Sequence, residues 1–271
     1  MRRTDDPSQI GGPLVKHVRT WPLFGEFVAQ VARVPAADLE ACLAAQRTNG
    51  GLLGQTLVDR GLLRGEQVDE VLAMQAAWVA RSLGGDTRCC FPYPAYLSLC
   101  MPAYNEQQTI ASTLRSALAV LPHFVELFEI VVVDDGSRDE TALRVAETAR
   151  HNPSVRLLRH ENNRGYGAAV TTALRAAAGE LVMFTDSDGQ FNLLDAARLL
   201  VQLGEADLVI GYRKHRADDL QRRLNAWLWG WLVRCLLGFR VRDLDCAFKL
   251  FHRETIDALQ LTAPGACINA E

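Results

Sequence analysis

From Tyr96 onward the chain alternates short apolar runs with stretches whose apolar residues recur three and four apart. That alternation predicts strands interleaved with helices. Leu97–Met101, Ile130–Val133, Val155–Arg159, Leu181–Phe184 and Leu208–Gly211 read as strands. A helix is expected from about Gln107 to Val120, another opens at Asp139-Glu140-Thr141, and a third follows Ala168-Ala169. The fold class is therefore α/β, with a mainly parallel sheet flanked by helices. Each of the first four runs ends in a polar or glycine-rich turn: Pro102-Ala103-Tyr104-Asn105-Glu106, Asp134-Asp135-Gly136-Ser137, Asn162-Asn163-Arg164-Gly165-Tyr166-Gly167, and Thr185-Asp186-Ser187-Asp188-Gly189-Gln190. In such sheets the carboxyl ends of the strands form the ligand edge.

The first third carries a different period. Residues 23–46 superimpose on 52–75: Gly25 on Gly54, Leu39 on Val68, Leu43 on Leu72 and Gln46 on Gln75, each pair 29 apart. Each copy predicts a short helix, a tight turn and a second helix, with Pro35 and Gly65 near the second helix's start. The expected organisation is a disordered lead over 1–20 and a small, mostly helical two-repeat domain over 21–78. A linker over 79–95, with Gly84-Gly85-Asp86 and Pro92-x-Pro94, precedes the α/β domain over 96–271.

Chemistry concentrates on the strand ends. Asp186, Asp188 and Gln190 alternate along one turn, a hard oxygen site suited to Mg²⁺ or Mn²⁺ holding a diphosphate. Glu106, Asp134 and Asp135 can accept hydrogen bonds from a base or ribose. Gly165 and Gly167 allow close backbone approach, with a helix start behind them that favours phosphate. A net charge of −3 argues against a nucleic-acid polymer as partner. The seven cysteines (42, 89, 90, 100, 235, 246 and 267) show no metal-type spacing and read as buried thiols of a reducing compartment. No apolar window reaches the length of a membrane span.

In order and content, PAYNE, VVVDDGS, NRGYGAA and TDSDGQ resemble the family 2 glycosyltransferases of the GT-A fold. Within that family the chain is most similar to the dolichol-phosphate mannosyltransferase and polyprenyl-phosphate glucosyltransferase branch. The resemblance implies a Rossmann-like sheet and a nucleotide pocket lined by Pro102, Ala103, Tyr104, Glu106, Asp134, Asp135, Gly165 and Asp186. It implies a metal held by Asp186, Asp188 and Gln190, with Asp188, Asp243 and Arg213 as the catalytic set. Arg213, in a G-x-R turn, would grip the acceptor phosphate with Arg222 or Arg223, and Asp243 would orient the acceptor or act as a base. Residues 224–239, with Trp227, Trp229 and Trp231 among leucines, are expected at a membrane interface.

The repeat resembles the MshEN-type domain of secretion and pilus assembly ATPases, which binds cyclic di-GMP. That likeness implies effector contacts from Leu23, Phe24, Gly25, Val28, Gln46, Leu52, Leu53, Gly54, Leu57, Gly61 and Gln75. Where the motif opens with arginine, this chain has Leu23 and Leu52. A planar cation suited to guanine is thereby missing from each copy.

These resemblances together imply an inverting, metal-dependent transfer of sugar from a UDP- or GDP-sugar to a polyprenyl phosphate, under cyclic di-GMP control, on the cytoplasmic side of a membrane. A polysaccharide synthase and an inactive nucleotide sensor are the alternatives. The final Asn269-Ala270-Glu271 falls within the start of a helix that the family continues. A longer natural protein is therefore expected, in this branch often running into transmembrane helices.

Overall fold

The computed structural model describes residues 24–49, 52–84, 91–204, 206–212, 243, 246–263 and 265–269. The repeat forms two helical pairs. In the first copy α1 (Phe24–Phe27) runs into a π turn (Val28–Ala32), and α2 (Ala36–Asn49) starts directly after Pro35. The second copy contains α3 (Leu53–Asp59) and α4 (Gly65–Gly84). The copies pack reciprocally. A Cβ on Gly25 would lie 3.5 Å from Leu53, and one on Gly54 would lie 3.7 Å from Phe24, its counterpart in the other copy. Val28, Leu39, Cys42, Leu53, Leu57 and Val71 fill a small core of their own.

The α/β part follows as β1 (Tyr93–Ala103), α5 (Ile110–Val120), β2 (Val125–Asp134), α6 (Thr141–His151), β3 (Val155–Arg159), α7 (Tyr166–Ala176), β4 (Leu181–Phe184), α8 (Ala196–Leu203), β5 (Leu208–Ile210), β6 (Lys249–His252) and α9 (Arg253–Ala258). Among the described residues, six strands form one sheet in the order β3-β2-β1-β4-β6-β5. The first four strands are parallel, while β6 runs antiparallel to both β4 and β5. Strand order reverses between β1 and β4, which is where a crevice for a ligand opens in an open parallel sheet.

Both faces of the sheet are covered. Leu97, Leu99, Met101, Ile130 and Val132 pack toward α5 and α8, whereas Cys100, Val131, Val133, Val182 and Phe184 pack toward α7. This is period-two alternation with apolar residues on each side, the expectation for a buried parallel sheet. Burial of each large side chain stabilises the fold by about 1.5–3 kcal/mol. At the amino-terminal end of the sheet, Glu129 binds three elements together. Ser98 Oγ and the Ala178 N–H each donate to its Oε1 at 2.6 Å, and Arg156 Nη1 donates to its Oε2 at 2.6 Å.

The largest departure from a predicted extent is in α4. The second helix of the second copy continues to Gly84, through residues expected to begin a linker. Ala76, Val79 and Ala80 extend the three-and-four spacing, and all three lie in the core of the α/β part beside Leu114, Val120 and Leu121. The first half of α4 therefore belongs to the repeat and the second half to the core of the α/β part. No helix among the described residues is long and apolar enough to cross a membrane.

Candidate active site

The turns after β1 and β2 are bolted together by their own side chains. The Asn105 N–H donates to Ser137 Oγ (2.9 Å), the Glu106 N–H to Thr141 Oγ1 (2.7 Å) and the Gln107 N–H to Asp139 Oδ2 (3.2 Å). In return the Arg138 N–H donates to Asn105 Oδ1 (3.0 Å) and the Glu140 N–H to Gln107 Oε1 (3.1 Å). Asn105 sits at φ +56°, a conformation that asparagine tolerates better than most residues. Pro102 and Ala103 are buried beneath this turn and Tyr104 stands exposed above it. Glu106 accepts from Thr109 Oγ1 at 2.6 Å.

Asp134, the last residue of β2, and Asp135 after it tie down the turns around them. Asp134 is fully buried, with Oδ1 accepting from the Ser137 N–H at 3.3 Å. Its Oδ2 lies 3.0 Å from Arg159 Nε, an ion pair without the alignment of a hydrogen bond. Asp135 holds the glycine-rich turn: its Oδ1 accepts from the Arg164 N–H (2.9 Å) and its Oδ2 from the Gly165 N–H (2.8 Å), while His160 Nδ1 lies 2.6 Å from Oδ1. Both carboxylates thus act on neighbouring loops. The sequence marks them as acceptors for a nucleotide but cannot show these internal partners. Gly136, at φ +71°, passes so close to Asn162 and Asn163 that a Cβ would come within 2.6 Å of their backbone.

Gly165, at φ +94°, turns the chain into α7 and presents Tyr166 to the acidic turn after β4. The Tyr166 hydroxyl donates to Asp186 Oδ1 at 2.9 Å. Burial, then the charge of Asp186, pushes the phenol well above its ordinary pKa, so it remains a donor at neutral pH. The sequence names this tyrosine within its motif without a role, and the only signal is its place one residue after Gly165. In the acidic turn Thr185, Ser187 and Gly189 are buried, while Asp186 and Asp188 are partly exposed and Gln190 is exposed. The Gln190 N–H donates to Asp188 Oδ1 at 2.9 Å, closing the turn. From α5, Thr113 Oγ1 lies 3.2 Å from the Ser187 carbonyl.

The donor set fits a divalent cation. Asp186 and Asp188 both keep partial exposure, and among the described residues no group of three or more His, Cys, Asp or Glu is placed to hold a metal ion. One or two carboxylates, with the remaining ligands from substrate phosphates and water, is the usual arrangement for Mg²⁺.

On the acceptor side, Asp243 is buried and its carbonyl accepts from the Cys246 N–H at 3.3 Å. Phe248 stacks on Phe191, centroids 5.4 Å apart, which ties β6's approach to the segment after the acidic turn. Lys249 Nζ donates to the Asn269 carbonyl at 2.5 Å. Arg213, Arg222, Arg223 and the tryptophans 227, 229 and 231 lie outside the described residues, as does Leu23.

The family model for glycosyl transferase family 2 matches residues 98–259. The chain belongs to that family. The repeat lies outside the match. A dolichyl-phosphate beta-glucosyltransferase of Dictyostelium discoideum is 34% identical to this family 2 chain over 179 residues, covering 59% of it and 55% of the relative. An undecaprenyl-phosphate 4-deoxy-4-formamido-L-arabinose transferase of Pseudomonas fluorescens is 34% identical over 174 residues, covering 62% and 50%. The chain spans about half the length of the curated relatives it matches. Among solved structures, glucosyl-3-phosphoglycerate synthase of Mycobacterium tuberculosis with Mn²⁺, UDP-glucose and glycerol 3-phosphate is similar, with 27% identity and a TM-score of 0.50. That match covers 65% of this chain and 62% of the other.

Of the effector residues expected on the repeat, Phe24, Gly25, Gln46, Leu52, Leu53, Gly54 and Gln75 line one cleft. Val28 and Leu57 are instead fully buried in the module's own core. Gly61, at φ +69°, lies on an exposed turn with open space around it.

Proposed function

We propose that this chain transfers a sugar from a nucleoside-diphosphate sugar to a polyprenyl phosphate with inversion, using a divalent cation at Asp186 and Asp188. The observation that carries the proposal is the pair of partly exposed carboxylates on the turn after β4, beside the sheet's switch point, with Asp186 braced by Tyr166 and the turn's backbone by Thr113. The names of the relatives, both polyprenyl-phosphate sugar transferases, support the acceptor class. The Mn²⁺ and UDP-glucose in the similar structure support the donor and the metal. The cation would neutralise the departing diphosphate, which is Lewis-acid and template work. The protein's own part is to hold two carboxylates in place with minimal reorganisation. Arg213, Arg222 and Arg223 are proposed for the acceptor phosphate, whose ionised oxygen is nucleophile enough without a strong base. Asp243 is proposed to orient that acceptor. The repeat is proposed to bind cyclic di-GMP and to regulate transfer.

The test incubates labelled UDP- and GDP-sugars with a polyprenyl phosphate in detergent, with and without Mn²⁺. Label should enter the lipid only with the cation, and Asp188→Ala should abolish transfer, a loss of at least about a hundredfold if the charge stabilisation is lost. Transfer to a growing glycan with none to the lipid would sink the acceptor assignment. Full activity in chelator would sink the metal.

A further inference from the structure

The cleft of about 780 Å³ that gathers the repeat's motif residues has a second wall, and that wall is the catalytic domain. Its size is that of a site for one ligand of nucleotide dimensions. On one side stand Phe24, Leu52 and Leu53 of the repeat; on the other stand Arg115 of α5 and Arg198 of α8. The two motif copies lack their opening arginines, so the repeat's own face offers a base apolar packing and no guanidinium there. Both cations come from across the cleft.

We infer that this cleft is a shared effector site, in which a guanine cyclic dinucleotide is held by the apolar motif face on one side and by Arg115 and Arg198 of the catalytic domain on the other. The inference rests on the proposed binding of cyclic di-GMP by the repeat and adds where the missing cations come from and what the ligand touches. The chemistry is matched on both edges of the base. A guanidinium suits phosphate oxygens or the O6 and N7 edge of guanine. A carboxylate or amide oxygen suits the N1–H and N2–H edge, and Asp69, Asp195, Gln46 and Gln75 all line the cleft.

Each arginine already lies beside a carboxylate, Arg115 Nε 3.7 Å from Asp69 and Arg198 Nη1 3.0 Å from Asp195. Both arginines remain more than 40% exposed, so these pairs open at little cost when a phosphate arrives.

The site also touches the catalytic turn. Leu52 Cδ1 lies 3.5 Å from where a Cβ on Gly189 would be, between Asp188 and Gln190. Thr113, which reaches the Ser187 carbonyl, lines the same cleft. A ligand seated against Leu52 and α5 therefore bears on the backbone that carries Asp186 and Asp188. A regulatory effect requires that such a contact differ between two states of the turn.

Cyclic di-GMP is titrated calorimetrically into the unaltered chain, Arg115→Ala and Arg198→Ala, each variant first checked by thermal melting. Binding to the unaltered chain weakened at least about tenfold by each substitution supports the shared site. Equal binding by all three overturns it and leaves the repeat as sole binder. No binding by the unaltered chain overturns the cyclic di-GMP reading itself, and this inference with it. Backbone hydrogen exchange of the unaltered chain needs no variant. Ligand should slow exchange in residues 110–120 and 189–198 as well as in the repeat, and protection confined to 24–75 would overturn the proposal.

Discussion

At the scale of single residues, the site is made by short polar side chains that spend their hydrogen bonds on one another. Tyr166 is the informative case. Its hydroxyl satisfies one oxygen of Asp186 and so restrains that carboxylate, the proposed cation ligand. Tyr166→Phe removes the donor while keeping the ring against Phe184. The apparent affinity for Mn²⁺ in the transfer assay should fall about tenfold, the effect of losing one hydrogen bond to a charged group. Thermal stability should hardly change. An unaltered Mn²⁺ dependence would mean that Asp186 needs no such brace. The turns at the carboxyl edge of the sheet were legible in the sequence, because each follows an apolar run that forms a strand. Their partners were not. Asn105 with Ser137, Asp135 with Gly165 and Tyr166 with Asp186 are joined across 20 to 32 residues of chain, and nothing in local spacing announces such pairs.

Among elements, β3 and β4 have the ends their apolar runs predict, since polar or glycine residues close both sides. β1 and β2 reach further back than the runs do, to Tyr93 and Val125, which are register partners. Pairing with a neighbour extends a strand through residues such as Glu126 and Glu129 that no hydrophobic pattern selects. Glu129 itself yields a pH prediction. Burial alone would raise its pKa, but bonds from Ser98, Arg156 and the Ala178 N–H outweigh burial and hold it below its ordinary value. A carboxylate depressed in the folded state adds stability above its unfolded pKa and loses it as pH falls through the lower folded value. Urea midpoints measured from neutral pH down through the carboxylate range should therefore drop, and Glu129→Gln should flatten part of that drop. The same substitution should cost about 1.5 kcal/mol at neutral pH, because Arg156, half exposed, and two donors lose their anion but keep an amide oxygen. An identical acid profile in the variant would remove Glu129 from the account.

Across the whole molecule, the two repeated helical pairs and the α/β sheet share material. Ala76, Val79 and Ala80 sit in the catalytic core, while Val71, five residues earlier on α4, sits in the core of the repeat. Two hydrophobic cores threaded by one helix should melt together. Scanning calorimetry of the chain is expected to show a single transition, with tryptophan fluorescence and far-UV circular dichroism tracing the same curve. Two separated transitions would show that α4 breaks near its middle without disturbing either core. The sequence concealed this fusion because Gly84-Gly85 and Pro92 look like a flexible joint, and the apolar period of 76–83 was hidden just ahead of them.

The shared helix has a mechanical consequence. At 1.5 Å per residue α4 is a rod of about 30 Å, clamped at one end by the repeat and at the other by the sheet's helical layer. A tethered sensor would report by being near or far, tuned by tether length. A clamped rod reports by angle. If the repeat holds an effector as proposed, any small rocking of it would become a displacement at α5, on which the acidic turn leans through Thr113. Lengthening the segment between the two parts would leave that lever untouched, whereas a proline in mid-α4 would disconnect it.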